Sequence, residues 1–155
     1  MTIHDSVPAT ADRLGHRLLQ LGMLLFLVGL LTGFVIPVLA NPRMGLASHL
    51  EGIMNGLLLM VLGLLWPRLR LGRAAKGWTF GLAVFASFAN WCATLLAAVW
   101  NAGGGMMPIA AGGRLGASWQ EAVISVLLAS LSLAIVAASG LVLWGLRMPR
   151  VHRHI

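Results

Sequence analysis

Charge is the scarcest commodity in this chain. Of 155 residues, 10% are Asp, Glu, Lys or Arg and 59% are hydrophobic, whereas about a quarter of a soluble domain is charged. Only four residues are acidic. A single cysteine, Cys92, supports neither a disulfide nor a zinc site. The glycine-rich stretch at 102–116 lacks the Gly-Lys-Ser/Thr ending of a phosphate loop. The serines have no accompanying base or acid, which excludes a serine nucleophile.

In place of charge there are long apolar runs. Four are long enough to cross a bilayer, which takes about 20 residues: roughly 18–39, 46–66, 77–100 and 122–146. They predict an all-α integral membrane protein, a four-transmembrane-helix antiparallel bundle, with residues 1–155 as a single membrane domain. The first run is too long for a cleaved signal peptide. Residues 1–12 are polar and are expected to form a mobile tail.

The net charge of +7 follows the membrane rather than a nucleic acid. Arg13, Arg17, Arg68, Arg70, Arg73, Lys76, Arg147, Arg150 and Arg153 fall on one side of the expected bundle. Arg43 and Arg114 fall on the other. This asymmetry predicts a bacterial-type inner membrane location with both termini cytoplasmic. The basic residues then serve as topology signals and contacts to anionic lipid, and no nucleic-acid partner is expected.

Polar residues inside the runs mark candidate sites, because they are costly at membrane depth. His49 is the one histidine of five within a run. Gly45, Gly52 and Gly56 lie at i−4, i+3 and i+7 from it, on one helix face. That face fits a flat ligand held by an imidazole, as in haem ligation. It equally fits a glycine seam for close helix packing, with His49 as a hydrogen-bonding core residue. Asn55 lies deeper on the same helix. Ser87, Asn90, Thr94 and Asn101 form a polar stripe on the third. The two Asn side chains can either bind substrate or tie helices together. Glu51 points away from the His49 face and reads as a shallow first-turn acid.

Gly15, Gly22 and Gly29 recur at heptad spacing, as do Ser118, Ser125, Ser132 and Ser139. Both series predict packing seams, the serines within the bundle or between subunits. The loop 102–116 reads either as a cover for a site or as a floppy connector.

Several segments together resemble the hydroxylaminobenzene mutases. They are Asn41-Pro-Arg-Met-Gly-Leu-Ala-Ser-His-Leu-Glu-Gly-Ile-Met-Asn-Gly56, Phe88-Ala-Asn-Trp-Cys-Ala-Thr-Leu-Leu-Ala97 and Gly104-Gly-Met-Met-Pro-Ile-Ala-Ala-Gly112. More remotely the chain is similar to the styrene oxide isomerases, whose His, Asn, Pro and Asn match His49, Asn55, Pro67 and Asn90. The resemblance implies haem b with His49 as ligand to the iron and Gly45, Gly52 and Gly56 beside the cofactor. It also implies a homotrimer, and a small aromatic hydroxylamine rearranged to 2-aminophenol with Asn55, Asn90 and Thr94 at the substrate. The isomerases carry Asp and Tyr where this chain has Ala86 and Thr94, so their epoxide-opening set is incomplete here. Epoxide isomerisation, and a non-catalytic haem-binding or electron-transfer subunit, are the alternatives.

Overall fold

The computed structural model describes residues 9–147. The segment before residue 9 and the tail bearing Arg150, His152, Arg153 and His154 lie outside the described residues. Four long helices, α1 (Ala9–Val35), α2 (Pro42–Leu65), α3 (Arg73–Trp100) and α5 (Ser118–Arg147), are joined by short turns and by a loop carrying the one-turn helix α4 (Pro108–Ala111). Each long helix is long and apolar enough to cross a membrane, and no strand occurs among the described residues. The result is an antiparallel membrane bundle. α1 packs on α2, α2 on α3 and α3 on α5, while α2 and α5 scarcely meet.

The helices outrun the apolar stretches that announce them. α1 already begins at Ala9, within the segment expected to be an irregular tail. α2 begins at Pro42, four residues before its apolar run. Proline at the first helical position has its φ preset, and the Asn41 side chain accepts from Met44 N at 3.3 Å. α3 ends where Asn101 turns left-handed at φ 54°, with Ala102 N bonded to Ala97 O at 3.0 Å.

Glycine sets the closest helix contact. Gly15, Gly22 and Gly29 of α1 meet Gly63, Gly56 and Gly52 of α2. A Cβ on Gly22 would lie 2.7 Å from Gly56 O, and one on Gly52 would lie 2.5 Å from Gly29 Cα. The seam expected on α1 is therefore present, and its partner is the glycine strip of α2. The serine series is not the corresponding seam on α5 within this chain. α5 buries Ile124, Leu131, Ala134, Ala138 and Gly145, while Ser132 and Ser139 are exposed. Residues without a hydroxyl take the buried face of α5, so no serine hydroxyl has to be satisfied there.

The loop is neither floppy nor barely structured. Glu121 in the first turn of α5 accepts from Gly103 N at 2.7 Å, Gly116 N at 2.9 Å and Gly105 N at 3.1 Å. Asn41 donates to Ala111 O at 3.0 Å and Arg43 to Ile109 O at 2.9 Å. Met44, Ala97, Ala98, Ala102, Ala111 and Ile124 close a small core under it.

The seam has a direct test in thermal unfolding of detergent-solubilised protein. Gly52→Ala is expected to destabilise by about 1–3 kcal/mol through overpacking. Gly81→Ala, where nothing lies within 4 Å of the added carbon, is expected to stabilise by about 0.5–1 kcal/mol through helix propensity.

Candidate functional site

The polar residues of α2 divide between two faces. At 3.6 residues per turn, positions 49 and 55 lie about 120° apart around the helix. His49 faces α1, where its Nδ1 is 2.8 Å from Gly29 O. A carbonyl only accepts, so Nδ1 carries the hydrogen, and in the neutral ring Nε2 holds the lone pair. Gly33 makes room for the ring, since a Cβ there would come within 2.9 Å of Nδ1. The surface around the half-buried ring is apolar, with Leu30, Phe34, Leu46 and Leu50 all exposed.

Gly45, Gly52 and Gly56 do not form an open face beside that ring. α1 covers Gly52 and Gly56, and Ile36 and Leu39 lie against Gly45. A flat ligand has no access to the strip, because the same absence of side chains that would admit a macrocycle also admits the neighbouring backbone. Close packing took the space.

The other face of α2 holds a cluster the sequence reading assembled only in part. Asn55 and Asn90 do come together, and Glu51 joins them. Glu51 Oε2 accepts from Asn55 Nδ2 at 2.9 Å and from Asn90 Nδ2. Asn55 Nδ2 also donates to the Glu51 backbone carbonyl at 2.9 Å. Glu51 is not a shallow first-turn acid. Because α2 starts at Pro42, Glu51 lies nine residues in, about 14 Å along the helix at 1.5 Å per residue. The signal for this was Asn41-Pro42, a cap followed by an N1 proline. Thr94 sits one turn from Asn90 but is only 3% exposed, and its hydroxyl donates to Asn90 O and Trp91 O at 2.9 and 3.0 Å. Its hydrogen is spent within its own helix.

Trp91 separates the two faces. Its ring lies against Gly52, its Nε1 donates to Thr32 Oγ1 at 3.2 Å, and its carbonyl accepts from Ser48 Oγ at 3.2 Å. Three helices are thereby tied together at the level of the site.

Glu51 and Asn55 share a stripe of α2 with Leu58, Leu62 and Leu65, at i+7, i+11 and i+14 from Glu51. These three leucines form one wall of an apolar groove of about 230 Å³, with Ala83 of α3 and Ile135 and Val142 of α5 also lining it. The site thus offers two carboxamides and a carboxyl group on the stripe of α2 that leads, one turn beyond Asn55, into the groove at Leu58. His49 lies apart from it. Among the described residues no three His, Cys, Asp or Glu side chains gather as metal ligands. A metal on His49 would need its remaining coordination from outside these side chains, as a haem provides.

The family model for styrene oxide isomerase matches residues 14–147. Two proteins of Ectopseudomonas oleovorans are similar over most of their length. Hydroxylaminobenzene mutase HabB is 55% identical over 154 residues, covering 99% of this chain and 93% of its own. Hydroxylaminobenzene mutase HabA is 47% identical over 125 residues, covering 81% of this chain and 93% of its own. No solved structure matches the chain.

The His49 geometry predicts a fixed tautomer. In ¹⁵N spectra of histidine-labelled protein free of haem, the His49 ring should show a protonated Nδ1 and an unprotonated Nε2. Gly33→Leu should abolish that preference by displacing the ring.

Proposed function

The chain belongs to the styrene oxide isomerase family and is an isomerase, and we propose that it rearranges hydroxylaminobenzene to 2-aminophenol. The observation that carries this reading is the Glu51–Asn55–Asn90 cluster within a membrane-spanning bundle, on a stripe of α2 that continues into the leucines of an apolar groove. Two relatives bearing the mutase name support it.

The reaction breaks the N–O bond and forms a C–O bond at the ortho carbon. The ortho carbon gives up one proton and the nitrogen gains one, so there is no net oxidation. The aryl ring has an apolar lodging along Leu58 and Leu62, where water cannot trap an electron-poor ring. The N–H and O–H groups are held by the oxygens of Asn55, Asn90 and Glu51. Holding them there fixes the angle at which oxygen leaves nitrogen and meets the ortho carbon. Thr94 supports this arrangement by bonding the backbone at Asn90. The carboxyl group of Glu51 gives the cluster an acid–base group at its centre.

His49 Nε2 is the atom that would hold haem b, with the Nδ1 bond to Gly29 O orienting the ring and raising its basicity. Bound iron would supply Lewis acidity toward the N–O oxygen. Because His49 faces α1 and Asn55 faces α3, a homotrimer in which a neighbouring copy brings its polar cluster to the His49 face completes the site. The exposed apolar surface around His49 suits such a neighbour. Both termini are assigned to the cytoplasm of a bacterial-type inner membrane, on the nine-to-two distribution of basic residues.

A haem-bearing electron carrier is the poorer reading. The only other histidine among the described residues, His16, lies thirteen residues from Gly29 along α1, about 20 Å at 1.5 Å per residue. It cannot share a haem with His49 in one chain.

The test is turnover and absorption of the purified protein, before and after reduction. Wild type should convert hydroxylaminobenzene to 2-aminophenol and show a haem b spectrum. His49→Ala should lose both. Asn55→Ala should keep the spectrum and lose about 100-fold or more in kcat, as expected for a positioning group. Activity and spectrum both surviving in His49→Ala would remove the haem assignment, and absence of the reaction in wild type would remove the mutase reading.

A further inference from the structure

The hydrogens of the polar cluster point inward, and its oxygens are left over. Asn55 spends its amide hydrogens on the backbone and side-chain oxygens of Glu51. The backbone carbonyl of Glu51 can only accept, so it fixes the Asn55 amide with Oδ1 turned away. Asn90 donates to the same Glu51 Oε2. Asn55 Oδ1, Asn90 Oδ1 and Glu51 Oε1 then receive no hydrogen bond from any described residue, and none of them is sealed from its surroundings. The neighbouring donors are also spent. Ser48 and Thr94 give their hydroxyl hydrogens to backbone carbonyls, and Trp91 Nε1 gives its hydrogen to Thr32. The Ser87 hydroxyl on the same stripe has no partner but is fully enclosed, so one N–H of Asn90 is the accessible side-chain donor left against three free acceptor oxygens.

We propose that this acceptor face sets the substrate specificity of the enzyme: it selects aromatic compounds whose polar groups donate two hydrogens side by side, and it turns away epoxides. The inference rests on the reading that the cluster binds substrate. An arylhydroxylamine presents N–H and O–H side by side and pairs with two of the three oxygens. An aryl epoxide has one oxygen and no donor. Placed in this site it would set acceptor against acceptor and leave buried oxygens unpaired, the situation in which a polar site discriminates most strongly. Glu51 is the specificity-determining residue, because it turns both carboxamides so that their N–H groups face it. From these side chains an epoxide would need the opposite arrangement, with donors aimed at its oxygen. Ala86 and Thr94 add no donor on the third helix, since alanine has none and the Thr94 hydrogen is already bonded.

The experiment uses two probes with the same carbon skeleton, 1-phenylethane-1,2-diol, which donates twice, and styrene oxide, which does not donate. Each is measured as a competitive inhibitor of hydroxylaminobenzene turnover, and its binding to the purified full-length protein is measured separately by calorimetric titration in detergent. The diol is expected to bind at least about 100-fold more tightly than the epoxide. In Glu51→Gln, which keeps the shape but frees the amides to turn and adds an N–H₂ group, that ratio is expected to fall at least tenfold. A residue that merely held helices together would weaken both probes alike and leave the ratio unchanged. Equal binding of diol and epoxide to active wild type would overturn the inference while leaving the mutase reading intact. Absent turnover with the binding ratio preserved would do the reverse.

Discussion

Everything in this bundle depends on two glycines touching. Gly29 of α1 and Gly52 of α2 approach so closely that a methyl group on either would strike the other helix's backbone. In a bilayer the lipid tails are as apolar as leucine, so helices gain little by hiding leucine from lipid and much by fitting tightly. That fit brings the Gly29 carbonyl within reach of His49, and it leaves a flat seat on Gly52 for the ring of Trp91. The imidazole is oriented by α1, and the indole is laid against α2 by the same contact. Site geometry here is a by-product of backbone proximity.

The polar groups then obey a strict accounting. Hydrocarbon offers no hydrogen bonds, so most polar side chains either turn back on their own helix or find a partner across the bundle, with Ser87 Oγ and Trp66 Nε1 left unpartnered among the described residues. Thr32, Thr79 and Thr94 turn back on their own helices. Glu51, Asn55 and Asn90 find one another. His49 and this triad occupy different faces of one helix, so α2 carries two chemically distinct surfaces, one basic and facing α1, one oxygen-rich and facing α3. On the function we propose, a cofactor at His49 and a substrate at the triad would be kept apart within the chain and joined by assembly.

Much of this was legible in the sequence because membrane helices declare themselves by long runs and by rare polar interruptions. The four spans, the glycine heptad of α1 and the pairing of Asn55 with Asn90 are of that kind. The position of Glu51 was misread because hydropathy locates where lipid begins, not where the helix begins. The Asn41-Pro42 cap starts α2 earlier and carries Glu51 down into the bundle. The Gly45, Gly52 and Gly56 face was ambiguous for a physical reason: a surface without side chains suits a porphyrin and a helix equally, and only the partner's own glycines decide. The serine heptad left two readings open, within the bundle or between subunits, and the structure removes the first, since regular spacing shows that residues share a face and says nothing of what that face meets. The folded loop was hidden because its order comes from one distant carboxylate, Glu121, reaching three backbone amides.

Asn41 carries a consequence for biogenesis. Its buried side chain caps α2 through Met44 and also donates to Ala111, while its backbone N–H bonds to Ala98. Two of those three partners are synthesised more than fifty residues later. The first helical hairpin therefore enters the bilayer with its turn unfinished, and the turn locks only when the third helix and its following loop have arrived. Membrane insertion and completion of the fold are separate events in this chain, divided by the time the ribosome takes to make the second hairpin.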